Sequence, residues 1–149
     1  IDMDLWVKNL LRKKLDLEKF QRPQITIDQA LHILEETQKT KDLIIYASKE
    51  NQIVVLLRPT SPWVAEIDIV ADCKGMIKLY KELKKMQDWF WKEYPLVHRL
   101  EMITINDKIV SLAIKLGWKQ EGYKKESYVD YNTMKYKGEY VFALLNPNH

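Results

Sequence analysis

Two carboxylates, Glu66 and Asp68, stand two residues apart inside the run Trp63-Val64-Ala65-Glu66-Ile67-Asp68-Ile69-Val70-Ala71. The run alternates, with Ala65, Ile67 and Ile69 on one side and Val64, Glu66, Asp68 and Val70 on the other, so it reads as a strand with both acids on one face. Carboxylates held this way can take up a proton from a reacting group, or simply face solvent on a half-exposed strand. Other reactive side chains are scarce. A single cysteine, Cys73, excludes an internal disulfide and a Cys-rich zinc site, and no histidine pairs with it in a readable way to make it a nucleophile. Its plainer role is a small loop residue. The histidines His32, His98 and His149 are too far apart for the usual ligand spacings, so no metal is expected.

The chain that must position the two acids has 149 residues, 46% hydrophobic and 30% charged, with only four Gly and five Pro. That composition excludes a disordered or collagen-like chain. A chain of this size buries about 68–70% of its unfolded surface, enough for a core without staples. No Gly/Ser/Pro-rich linker divides it, so residues 1–149 read as one domain. The net charge of +3 is far from that of a dedicated nucleic-acid binder. No apolar run approaches the roughly 18 residues of a membrane span. The start lacks a signal-peptide layout, which favours a cytoplasmic, reducing setting.

Residues 1–18 read as an N-terminal amphipathic extension: from Asp4 to about Leu15, Trp6, Leu10, Leu11 and Leu15 recur at helical spacing, with Lys8, Arg12, Lys13 and Lys14 between them. The basic residues read as the solvated face of a docked helix. A short strand is expected near Lys19–Gln21. Thr26 and Gln29 form a capping box that opens a helix over 27–38. Leu43–Ala47 and Ile53–Leu57 read as a hairpin, followed by the strand at 63–71. Met76, Leu79, Tyr80, Leu83, Phe90 and Tyr94 then mark a long helix that Pro95 stops. Leu100–Ile105 is a strand, Asn106 or Asp107 caps a short helix, and Gly117 supplies its left-handed end. Two strands close the chain, at about 119–129 and 139–145, joined by Asp130–Gly138. This order predicts an α+β fold with a mixed, mostly antiparallel sheet and helices on both faces. Trp89, Phe90, Trp91 and Tyr94 point to several sides of one helix end, so some of them are expected to meet Trp6 or a protein partner.

One segment ties this order to a known superfamily. Asn106-Asp107-Lys108-Ile109-Val110-Ser111-Leu112-Ala113-Ile114-Lys115-Leu116-Gly117-Trp118 resembles the late motif of the GNAT acyl-CoA-dependent N-acyltransferases, Asn-x-x-Ala-x-x-x-Tyr-x-x-x-Gly-Phe, with Asn106, Gly117 and Trp118 in step. Upstream, Phe20-Gln21-Arg22-Pro23 with Thr26 and Asp28 is similar to the family's opening strand and helix start. The resemblance spans about residues 19–145. It implies that the strands at 63–71 and 100–105 splay apart and hold acetyl-CoA between them. Its contacts would be Ile69, Val70, Ala71, Lys74, Gly75, Met76 and Asn106, with the pyrophosphate on the helix N-terminus after Asp72. It further implies Glu66 as the base that deprotonates an amine acceptor, small molecule or protein, with Asp68 second.

Two departures accompany the resemblance. The family's phosphate loop, Gln/Arg-x-x-Gly-x-Gly/Ala, is matched only by Asp72-Cys73-Lys74-Gly75-Met76-Ile77, with one glycine and a bulky Ile last. The tyrosine that serves as general acid is replaced by Ala113, leaving Ser111, Tyr123 or Tyr128 as substitutes. The chain also resembles small GNAT-like proteins of tailed bacteriophages, some of them virion components. The rival expectation is therefore an inactive member of the fold that works by binding, in a virion or its assembly. The Asp72–Ile77 loop is the feature that discriminates the two, and the most useful single observation is whether the gap between the strands at 63–71 and 100–105 is open or filled by side chains.

Overall fold

Among the described residues the strands are β1 (Ile44–Ser48), β2 (Ile53–Pro59), β3 (Val64–Ala71), β4 (Arg99–Thr104), β5 (Lys119–Asp130) and β6 (Lys135–Leu145), the first three rich in β-branched and aliphatic residues. The helices are α1 (Leu5–Leu17), α2 (Ile27–Lys39), α3 (Met76–Glu93) and α4 (Asp107–Lys115). These elements belong to a computed structural model, which describes residues 3–17, 26–72, 75–130 and 132–149. The expected strand near Lys19–Gln21 and the Phe20–Pro23 segment lie outside the described residues. All strands join one sheet in the order β1-β2-β3-β4-β6-β5. Every neighbouring pair is antiparallel except β3 and β4, which are parallel because α3 carries the chain back between them. The fold is α+β, a mixed and mostly antiparallel sheet flanked by helices. Among the described residues, no helix is long and apolar enough to cross a membrane.

Strand β2 explains how two faces are covered. Ile53, Val55 and Leu57 point into the layer beneath α3 and α4, while Val54 points into a second cluster with Val70, Leu10, Leu11 and Leu31 under α1 and α2. A strand buried on both faces needs an unbroken apolar run, and Ile53–Leu57 is one. The helix ends follow local chemistry. The Gln29 N–H donates to the Thr26 hydroxyl oxygen at 3.1 Å, and the Thr26 N–H donates back to the Gln29 side-chain carbonyl at 2.7 Å. At the end of α4, Gly117 has a φ of 93°, the Gly117 N–H donates to Ile114 C=O and the Trp118 N–H to Ala113 C=O. That is the paired 5→2 and 6→1 closure of a helix by glycine. Trp118 then locks α4 to α3, its indole N–H donating to buried Gln87 Oε1 at 2.9 Å.

Two expectations are corrected. The aromatic residues at the end of α3 are not a partner surface: Phe90 and Trp91 are buried, and Trp89 and Tyr94 pack against the same layer. Trp89 lies 5.4 Å from Tyr46 and Phe90 lies 5.0 Å from Tyr94, centroid to centroid. Trp6 belongs to the cluster on the opposite face of the sheet. The reason is that the 94–97 turn and β1 wrap the helix end on sides that a sheet alone leaves bare. The expected loop Asp130–Gly138 is shorter than read, because β6 begins at Lys135 and Tyr136 and Lys137 pair with Val129 and Tyr128. Gly138 allows this closeness, since a Cβ there would stand 2.1 Å from the Tyr123 hydroxyl.

Candidate functional site

Strand β3 is held along one edge and released along the other. Its ladder with β2 runs from Pro59↔Ala65 to Ile53↔Ala71, whereas its ladder with β4 covers only Val64↔Arg99, Ala65↔Leu100 and Glu66↔Glu101. Strand β4 meanwhile stays paired with β6 through Thr104↔Tyr140. Each strand follows its outer neighbour, so the two diverge beyond Glu66 and a wedge of about 600 Å³ opens between them. The gap is open, not filled by side chains.

Backbone direction determines what this wedge offers. The Val64 C=O accepts from the Thr60 N–H and the Asp72 N–H donates to Gln52 C=O, both toward β2. Backbone groups alternate sides along a strand, so those of Ile69 and Ala71 point the other way, into the gap and beyond the last β4 rung. Such an edge is a template for an extended ligand. Val70 differs. Its backbone faces Val54 on β2 and its side chain is buried in the α1–α2 cluster.

The walls combine an apolar floor with charged rims. Ile67, Ile69, Met102 and Ile109 form the floor. Along one rim Asp68 is bound by Lys14 Nζ at 2.8 Å and Asp72 by Lys13 Nζ at 2.9 Å, which brings α1 over the gap. Tyr128 and Glu139 reach it from the β5–β6 hairpin. Glu66 is not a wall. It sits at the closed end, on the same strand face as Asp68, ion-paired with Arg58 directly across on β2 and beside Glu101 on β4. Glu101 accepts from Arg99 Nε at 3.2 Å, and Arg99 forks onto Glu121. The Glu121 hydrogen bonds push the Arg99 guanidinium further up in pKa, and Arg99 holds the Glu121 carboxyl below the usual carboxylate range.

At the open end the chain passes from Asp72 to Gly75, where α3 begins with no side-chain cap and no acidic residue in its first turn. Cys73 and Lys74 lie outside the described residues. A Cβ on Gly75 would meet nothing within 4 Å. Its φ of 167° is extended backbone, so the glycine leaves room and relieves no strain. Met76 lines the gap; Ile77 is 73% exposed and does not, so the bulk expected to obstruct the loop lies elsewhere.

The structure thus gathers Asp68, Ile69, Val70, Ala71, Met76 and Asn106 around one gap, with Glu66 at its apex and Gly75 beside its mouth. Asn106 also caps α4, its side-chain oxygen accepting from the Lys108 N–H at 2.9 Å. Of the substitutes for Ala113, Tyr128 reaches the gap. Tyr123 stacks on Tyr140, Ser111 is not among the walls, and Ala113 itself is buried. Sequence reading missed Lys13, Lys14 and Glu139. Lysines 54 and 59 residues from their carboxylates give no local signal, and a basic helix face looks the same whether solvated or paired.

Solved structures repeat this architecture. Spermidine N-acetyltransferase from Vibrio cholerae, in complex with CoA and spermine, superposes with a TM-score of 0.76 over 99% of this chain and 95% of that one at 15% identity. Ribosomal-protein-S5-alanine acetyltransferase from Vibrio fischeri gives 0.71 over 99% and 92% at 14% identity. A GNAT-family acetyltransferase from Bacillus anthracis gives 0.66 over 97% and 92% at 18% identity. No family model matches the sequence, and no curated protein sequence does. The chain has the fold of the GNAT acetyltransferase superfamily.

Proposed function

We propose that this chain transfers an acyl group from acyl-CoA to an amine, small molecule or protein, with the donor lying between β3 and β4. One observation carries the reading: the open wedge, edged by the backbone of Ile69 and Ala71, runs from the start of α3 to the Glu66–Glu101 rung. Bound acyl-CoA supplies an activated thioester. The N–H groups of the first turn of α3, beside Gly75, take the phosphates, and Lys13 and Lys108 at the gap supply charge where the family uses glycines. Asn106 and Met76 flank that end. Backbone groups of Ile69 and Ala71 hold the extended arm, and an N–H turned into the gap polarises the thioester carbonyl. With the phosphates at the mouth, the thioester falls at the closed end, nearest Glu66. Glu66 accepts the proton of the attacking amine, with Asp68 the second carboxylate on that face. Tyr128 gives a proton to the departing thiolate of CoA.

Calorimetric titration with acetyl-CoA tests this. Binding is expected, and no binding at millimolar acetyl-CoA overturns the reading. A second reading, an inactive protein of this fold acting by binding in a bacteriophage virion or its assembly, is favoured by buried Ala113 in the place of the acid. Acetyl-CoA bound but never consumed, across spermidine, spermine and peptide amines, would select it.

A further inference from the structure

The outward sides of the two helical layers carry opposite charge. Helix α2 turns Ala30 and Leu31 to the sheet, so Asp28, Gln29, His32, Ile33 and Glu36 form its exposed stripe. Ile33 is 51% exposed in the middle of that stripe, and the carboxylates of Asp28 and Glu36 stay largely exposed despite their contacts with Arg12 and Lys39. On the other side of the sheet a groove runs between α3 and α4. Met76, Ile77, Tyr80 and Leu112 give it an apolar lining, and Lys108 and Lys115 border it along α4. Lys81 and Lys84, one and two turns on from Ile77, extend the exposed basic border along α3. A concave apolar strip with a basic border fits an apolar side chain flanked by carboxylates. Ile33 between Asp28 and Glu36 is such a group, carried by the chain itself.

We propose that a second copy of this chain docks its α2 stripe in the α3–α4 groove, Ile33 entering beside Ile77 and Tyr80 while Asp28 and Glu36 meet the bordering lysines. Stripe and groove lie on opposite faces of the sheet, so each copy offers both at once. The contact is therefore head-to-tail, and it repeats into a ring or filament instead of closing as a two-fold dimer. A flat anionic surface would meet the lysines but leave the groove floor empty. The proposal is independent of the acyltransferase reading.

Sedimentation velocity of the full chain, from micromolar to millimolar concentration, tests it. Wild type should pass from monomer through dimer to larger species, and less so in about 1 M salt, where the Debye length is about 3 Å. Ile33→Glu and Ile77→Glu, both at exposed positions, should each weaken association about a hundredfold, because each removes an apolar contact and sets a carboxylate in its place. An equimolar mixture of the two variants decides the geometry. Ile33→Glu keeps its groove and Ile77→Glu keeps its stripe, so together they should form a dimer that grows no further. Wild type that stays monomeric over the whole range overturns the proposal, as does a wild-type assembly that stops at a dimer or that both variants retain. If the monomer instead binds phosphatidylserine vesicles or single-stranded DNA, and Lys81→Glu abolishes that binding, the basic face serves that surface and the proposal falls.

Discussion

Beneath α3 and α4 the sheet buries a continuous apolar layer in which Phe90, Phe142, Met86 and Leu100 are 0% exposed. Beneath α1 and α2 the cluster is smaller, and ion pairs close the rest: Lys8–Glu35, Arg12–Asp28, Lys13–Asp72 and Lys14–Asp68. The two coverings differ in what it costs to disturb them. Apolar contacts packed to crystal density resist any change of shape. Exposed ion pairs are worth about 0–1 kcal/mol each and exchange partners readily. The gap lies between these two regimes, with an apolar floor of Ile67, Ile69, Met102 and Ile109 and a rim on which Lys14 and Lys13 are paired with Asp68 and Asp72.

The sharpest way to break this contrast is Phe90→Ala, which should cost about 3–5 kcal/mol in urea unfolding as a large cavity opens in the apolar layer. A loss below about 1 kcal/mol would show that layer to be no more rigid than the other face. At the apex, Glu66→Gln should lower kcat/KM about a hundredfold, near 2.7 kcal/mol, with acetyl-CoA affinity intact in calorimetry. Unchanged turnover would transfer the base to Asp68, checked with Asp68→Asn. Glu82 is a charged residue buried within the apolar half, in addition to neutral Gln87. It is buried, accepting from the Tyr46 hydroxyl at 2.7 Å and Asn51 Nδ2 at 2.9 Å. Burial raises its pKa, but those hydrogen bonds, together with the Lys85 charge and a Ser48 hydrogen bond, outweigh it and leave the carboxyl below its ordinary value. A depressed pKa stabilises the fold above the unfolded glutamate value of about 4.3 and loses that contribution as pH falls through the folded value. Glu82→Gln should therefore cost roughly 1–3 kcal/mol at neutral pH. The difference from wild type should shrink in acid, and an equal deficit at pH 3 and pH 7 would assign the effect to packing alone. Smallest of all, Lys14→Ala should change stability by less than about 1 kcal/mol. A larger loss would mean that α1 is held as firmly as α3.

Much of the framework was readable because its signals are local. The Thr26–Gln29 box, the Asn106 cap and Gly117 all act within one turn, and each appears where the sequence places it. The alternation of β3 identified its two faces, and therefore that Glu66 and Asp68 share one. What could not be read was whether either acid reaches the gap. That depends on where the β3–β4 ladder stops, and the stop is imposed by β2 and β6 pulling the strands apart from outside. The aromatic residues of α3 misled for a similar reason, since part of their covering comes from β1, a segment remote in the chain, where Tyr46 meets Trp89.

The order of elements, the burial pattern of each strand and the helix ends were thus settled by the amino-acid sequence, because period, capping and glycine geometry act over a few residues. The open wedge and the lysines of α1 on its rim arose only on folding. They depend on how far two strands separate and on which side chains meet across the fold, and neither is a property of any one segment.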